Sequence, residues 1–118
     1  MAASLSGVST HVLDTARGKP VGDVAVRLER EEAPERWKLV GSGRTDQNGR
    51  CALLPAESER LAAGNYRLSF DTKSYFAAHE IAGLYPLVQV LFVVRDGEGH
   101  FHIPLLLSPN GYTTYRGS

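Results

Sequence analysis

Residues 23–29, DVAVRLE, place a large apolar side chain at every second position. In an extended chain Val24, Val26 and Leu28 fall on one face, with Ala25 and Arg27 on the other. Period-two alternation marks a half-buried strand, and it recurs along the chain. Residues 66–70, YRLSF, place Tyr66, Leu68 and Phe70 together. Residues 87–94, LVQVLFVV, are almost wholly apolar, which predicts a strand covered on both faces. HFHIPLLL (100–107) follows across RDGEGH, a Gly-rich turn of hairpin type. RGKPVGD and TDQNGR punctuate the earlier strands, and SPNG turns the chain into a final strand, YTTYRGS (112–118). Only DTKSYFAAHEI (71–81) departs from this pattern: Asp71 or Thr72 serves as N-cap to a short helix. Many short strands separated by turns, with one helix, predict a mainly β fold, an antiparallel two-sheet sandwich.

Bulk properties narrow the function classes. The 118 residues form a single domain, 1–118, long enough to bury roughly two thirds of its unfolded surface. Lys+Arg and Asp+Glu number 13 each, and the densest charged run, RLEREEAPER, mixes both signs. That composition disfavours electrostatic binding to nucleic acid or anionic membranes and leaves self-association open. Cys51 is the sole cysteine, so no internal disulfide is available. The leading MAASLSGVSTHVLD has neither the basic nor the apolar region of a secretory signal, and no apolar run approaches a membrane span. A cytoplasmic location is expected, with the peroxisome left open.

Chemistry, if present, rests on histidine and arginine. His11 shares a strand face with Ser9 and Leu13. His100 and His102 lie two apart, so both rings face one side, opposite Phe101 and Ile103. Such a pair suits a solvated face, a partial metal site or acid–base work. For metal, no Cys or carboxylate sits at a supporting spacing. Arg44 and Arg50 bracket the TDQNGR turn, where a guanidinium offers parallel donors to a carbonyl or an anionic oxygen. His79 reads as an ordinary exposed residue, and Cys51, opening the apolar CALL, as core rather than nucleophile. The nucleophile-elbow, phosphate-loop and dinucleotide-binding motifs are all absent.

THVLDTARGKPVGDVAVRL, TDQNGRC, FDTKSYF, YPLVQVLF and HFHIPLLLSPNGYTTYRGS resemble, in matching order, segments of the transthyretin superfamily. Terminal Tyr-Arg-Gly-Ser resembles the signature of its enzymatic branch, the 5-hydroxyisourate hydrolases. The resemblance implies a transthyretin-like sandwich with one helix, a homotetramer built as a dimer of dimers, and no metal or other cofactor. It implies hydrolysis of a small-molecule substrate, 5-hydroxyisourate, to 2-oxo-4-hydroxy-4-carboxy-5-ureidoimidazoline. The alternative within the superfamily is a carrier that binds a hydrophobic ligand in the tetramer channel.

The resemblance also implies site residues. The histidine of T-H-V-L-D matches His11, the arginine closing T-D-x-x-G-R matches Arg50, and the second histidine of H-x-H-I-P matches His102. The terminal motif matches Tyr115, Arg116, Gly117 and Ser118. Catalytic roles fall to His11, Arg50, His102 and Ser118; substrate contacts to His11, Arg50, Tyr115, Arg116 and Gly117. Arg44 is the fallback for Arg50, and His100 is a further candidate. Arg50 is expected to polarise a carbonyl, one histidine to activate water and the other to orient it or protonate the leaving nitrogen. His102, on a rigid strand before Pro104, is the better base. Tyr115 is expected to wall the pocket, Gly117 to let the backbone bend, and Ser118 to supply a hydroxyl and carboxylate. Arg116 either binds substrate or ties the tail down through an ion pair. On this expectation the chain stops where it does because its last residues belong to the site.

Overall fold

The computed structural model describes residues 7–53 and 61–118. Residues 1–6, within the segment read for signal features, and Leu54, which ends the CALL stretch, lie outside the described residues. The elements are β1 (Gly7–Asp14), β2 (Lys19–Pro20), β3 (Ala25–Ala33), β4 (Arg36–Arg44), β5 (Arg50–Leu53) and β6 (Gly64–Phe70). Helix α1 (Thr72–Ala78) follows, then β7 (Val88–Val94), β8 (His100–His102), β9 (Leu105–Ser108) and β10 (Gly111–Thr114).

Two sheets pack face to face. One has the order β4-β3-β6-β7; the other is centred on β1. The first half of β1 pairs with β5 and β8, the second half with β2 and β9, and β10 closes the edge beside β9. Pairings are antiparallel except that β1 runs parallel to β8 and β9. The alternation of the sequence sets the core: Val24, Val26 and Leu28 meet Val8, Val12, Leu68, Phe70, Leu105 and Leu107 in one apolar cluster. Several buried polar groups are matched, while the buried Arg30 Nε has no partner among the described residues. Thr45 accepts from the Val24 amide and donates to the Val21 carbonyl. Buried Asp14 accepts from the Tyr75 hydroxyl at 2.6 Å. Asp71 caps the seven-residue helix by accepting from the Ser74 amide and hydroxyl, and Phe76 anchors it in the core. A helix this short depends on such tertiary packing.

Four expectations change. The RDGEGH turn forms, with Gly97 at φ 83° and the Glu98 amide bonded to the Arg95 carbonyl, but it closes no hairpin. The chain crosses there from β7 in one sheet to β8 in the other, because β8 finds its partner in β1. Secondly, LVQVLFVV is covered on one face only. It forms the edge strand β7, and Leu87, Leu91 and Val93 stay 50%, 64% and 40% exposed. Thirdly, the last strand ends at Thr114, and residues 115–118 fold back along β8 instead, with Gly117 bridging His102. Ile103-Pro104 also divides HFHIPLLL into β8 and β9, since proline lacks a ladder N–H.

Candidate active site

Strand β1 is the platform of the site. Its inward residues Thr10 and Val12 are buried, so Ser9, His11 and Leu13 face outward. His11 stands directly opposite Arg50 in the antiparallel β1–β5 register, which puts the two side chains on one face within mutual reach. The turn before Arg50 is built for this placement. The Asp46 carboxylate accepts from the amides of Asn48 and Arg50, each at 2.9 Å. The Arg50 amide holds its carboxyl below the usual range. Gly49 adopts φ +80°, and a Cβ there would run into the Val12 carbonyl oxygen. The turn thus lies against β1, and the Asn48 carbonyl accepts a 2.9 Å hydrogen bond from His11 Nε2. A carbonyl can only accept, so Nε2 of His11 carries the proton of this hydrogen bond and Nδ1 is the ring nitrogen left facing away from it. The Arg50 guanidinium has no ion-pair partner among the described residues.

His102 arrives from the other side of β1, in parallel register with Ser9. Its backbone is fixed from two directions. The Ile103 amide donates to the Ser9 carbonyl at 2.9 Å, and the Gly117 amide donates to the His102 carbonyl at 2.7 Å. Its ring Nδ1 lies 2.9 Å from Ser9 Oγ, and His100 Nε2 lies 3.3 Å from the same oxygen. Burial holds the His102 imidazole below its ordinary pKa of 6.5, and the charges of Arg50, His11 and His100 push in the same direction. His102 is therefore neutral at pH 7, the state a general base requires. A Cβ on Gly117 would come within 2.7 Å of His102 Cδ2. Glycine serves at 117 by its lack of bulk, so the tail can lie across the ring.

Two adjoining hollows share Arg50, His102 and Ser118. One, of about 390 Å³, adds His11, Leu13, Pro104, Tyr115, Arg116 and Gly117. The other, of about 470 Å³, adds Ser9, Asp46 and His100. Tyr115 walls the first hollow. Arg116 also borders it, but its guanidinium is engaged: it pairs with Glu98 at 3.2 Å and lies 4.1 Å above the Phe101 ring. The remaining candidates sit elsewhere. Arg44 pairs with Asp23 at 3.2 Å, and His79 accepts from Arg17 at 2.8 Å. Cys51 is buried with its thiol pKa pushed up, first by burial, so it stays protonated. Among the described residues, no three His, Cys, Asp or Glu side chains are arranged to hold a metal ion.

The model of the HIUase/Transthyretin family matches residues 8–117. The chain belongs to that family. It is 44% identical over 119 residues to the 5-hydroxyisourate hydrolase of Mus musculus, covering 100% of both chains. The Klebsiella pneumoniae 5-hydroxyisourate hydrolase structure superposes with a TM-score of 0.82 at 38% identity, over 96% of this chain and 99% of that one. Sea bream transthyretin in complex with thyroxine superposes with a TM-score of 0.85 at 31% identity, over 94% of each chain. Membership of the HIUase/Transthyretin family agrees with the order of segments in the sequence. His11, Arg50, His102 and the terminal four residues come together around one face of β1, although up to 107 positions separate them in sequence. Three participants escaped the sequence reading: Asp46, which shapes the Arg50 turn, the Asn48 carbonyl, which orients His11, and Ser9, which touches both histidines of β8. Asp46 had a local signal, an acceptor just ahead of Asn-Gly. Ser9 had only its shared face with His11.

Proposed function

We propose that this chain is a cyclic amide hydrolase that opens a ring amide of 5-hydroxyisourate, giving 2-oxo-4-hydroxy-4-carboxy-5-ureidoimidazoline. The observation that carries the proposal is the convergence of Arg50, His11 and His102 on one wall of a pocket sized for a small heterocycle. The mouse and Klebsiella proteins named for this hydrolysis, similar over nearly their whole length, support it.

The geometry supports the following roles. Arg50, without an ion-pair partner among the described residues, donates to the substrate carbonyl and stabilises the oxyanion that forms on attack. His102, neutral at pH 7, takes a proton from water as the water oxygen bonds to the carbonyl carbon. The ring C–N bond then breaks. Its nitrogen receives the proton from the imidazolium, which restores neutral His102, and the carbonyl carbon becomes a carboxylic acid that releases its proton to solvent to give the carboxylate. His11, fixed by Asn48, presents Nδ1 to orient the water or a substrate N–H. Tyr115 closes the pocket wall. Ser118 borders both hollows and offers a polar contact to the ring, while Gly117 leaves room for the His102 imidazole. We assign Arg116 to anchoring the tail, because Glu98 and Phe101 hold its guanidinium.

We read residues 1–118 as one domain that works as a homotetramer, a dimer of dimers. The apolar outer residues of β7 and its unpaired edge support self-association. The carrier reading has less support, since a channel for a hydrophobic ligand needs apolar walls where this pocket presents histidine and arginine.

The test is direct. Protein added to freshly generated 5-hydroxyisourate should accelerate loss of its ultraviolet absorbance, and the product should carry the new carboxylate. Saturable binding with no change in the decay rate would favour the carrier.

A further inference from the structure

Among the described residues, Ser9 is the side chain that hydrogen-bonds to both histidines of β8. Its Oγ lies 2.9 Å from His102 Nδ1 and 3.3 Å from His100 Nε2. Resting on the hydrolase reading, we propose that Ser9 is a positioning residue: its hydroxyl, shared with His100, holds His102 in the tautomer whose Nε2 lone pair faces the substrate pocket.

Donor and acceptor counts carry the argument. A serine hydroxyl has one proton to give and two lone pairs to accept with, and each neutral imidazole has one N–H and one lone pair. In one arrangement Ser9 donates to His100 Nε2 and accepts from His102 Nδ1–H. His102 then carries its lone pair on Nε2. In the other, His100 Nε2–H donates to Ser9, which donates to His102 Nδ1, so Nε2–H of His102 points into the pocket and His102 has no lone pair to offer there. The Arg50 charge favours the first. Nε2 lies on the ring edge away from Ser9, beside Cδ2, which approaches Gly117. Arg50 shares both hollows with His102, and a guanidinium favours a lone pair over an N–H directed toward it. The charged and titratable groups around His102 are Arg50 on β5, His11 on β1, His100 on β8 itself, Asp46 in the turn before β5 and the terminal carboxylate of Ser118. Asp46 accepts from the Asn48 and Arg50 amides, and the partner recorded for Nδ1 among the described residues is Ser9 Oγ at 2.9 Å.

The surrounding backbone leaves Ser9 this task. Thr10 donates its hydroxyl to the Ile103 carbonyl at 2.6 Å, the Ile103 amide donates to the Ser9 carbonyl, and Gly117 holds the His102 carbonyl. With the main chain clamped on both sides, side-chain rotation and tautomer are the freedoms left to His102, and Ser9 fixes both. When His102 takes the proton from water at Nε2, its Nδ1–H remains bonded to Ser9, and the imidazolium forms without rearrangement. An oriented base of this kind matches the general logic of a third group that sets a catalytic histidine's tautomer.

The test compares Ser9→Ala with Ser9→Thr, which keeps the hydroxyl. Both are checked for an unchanged melting temperature and assembly. The tautomer of His102 is read from its ring 15N shifts, and kcat and KM from 5-hydroxyisourate turnover. We expect Nδ1–H in the parent protein and loss of that preference in Ser9→Ala. We expect kcat to fall about ten- to a hundredfold with KM little changed, the scale set by misplacing a catalytic group. Ser9→Thr should recover most of the loss. Parental kcat and tautomer in Ser9→Ala, or Nε2–H in the parent protein, would overturn the proposal while leaving the hydrolase reading intact. The 15N measurement needs no substrate. A protein inactive on 5-hydroxyisourate whose His102 still depended on Ser9 for its tautomer would therefore defeat the hydrolase reading and uphold the hydrogen-bond assignment.

Discussion

The state of His102 turns on how little water reaches it. Burial disfavours the imidazolium, and Arg50, His11 and His100 add like charge, so the folded-state pKa lies below 6.5. As pH falls through that value the ring gains a proton and ceases to be a base. We therefore expect kcat/KM to be level through neutral pH and to decline on the acid side, with a midpoint below 6.5. A midpoint above 7, or a flat profile down to pH 5, would remove His102 from that role. Gly117 gives a second test at this scale. Gly117→Ala drives a Cβ to 2.7 Å from His102 Cδ2, so ring or tail must move. Turnover should fall about a hundredfold, with a small change in melting temperature because the tail contributes little to the core. The H-x-H spacing, read with the alternation of a strand, was enough to place both rings on one side. It carried no trace of Ser9 as their common partner, because that contact depends on a parallel register between residues more than 90 positions apart.

Secondary structure supplies the positions that single residues exploit. The 45–50 turn fixes Arg50 and, through the Asn48 carbonyl, His11 as well. Gly49→Ala would force a side chain into a left-handed conformation and against the Val12 carbonyl. The expected cost is about 1 kcal/mol or more in stability, seen as a lower urea midpoint, together with lost turnover as Arg50 and His11 shift. An unchanged midpoint would mean that the turn relaxes freely. This turn was legible locally, since Asn-Gly is the chemistry it requires. The RDGEGH segment was only half legible. Its glycine and its turn were evident, but the strand that follows is claimed by β1 in the opposite sheet, and no feature of the turn records that choice. The apolar run of β7 misled for a related reason. Hydrophobicity on both faces was read as burial within one chain, whereas the outer face lies open at a sheet edge.

At the scale of the whole molecule, the exposed Leu91 and Val93 on an unpaired edge strand are the features that ask for a second copy. We expect light scattering to report a particle of four chains. Combining Leu91→Lys with Val93→Lys should break it into smaller species that keep their β circular dichroism; an unaltered particle mass would place the contact elsewhere. The segments resembling the transthyretin superfamily gave the overall architecture because their order follows the strands that build the two sheets. What holds the pocket together, the crossing of β8 onto β1 and the return of residues 115–118 along β8, is a matter of long-range pairing. The central claim is that Arg50, His11 and His102 perform one hydrolysis on this scaffold. The measurement that tests it most directly is the initial rate of 5-hydroxyisourate loss for the parent protein beside His11→Asn, Arg50→Ala and His102→Asn, at equal concentration and with the same particle mass. The account predicts rapid loss for the parent and a fall of about a hundredfold or more in each variant. Loss at the parental rate in any one of the three would contradict it.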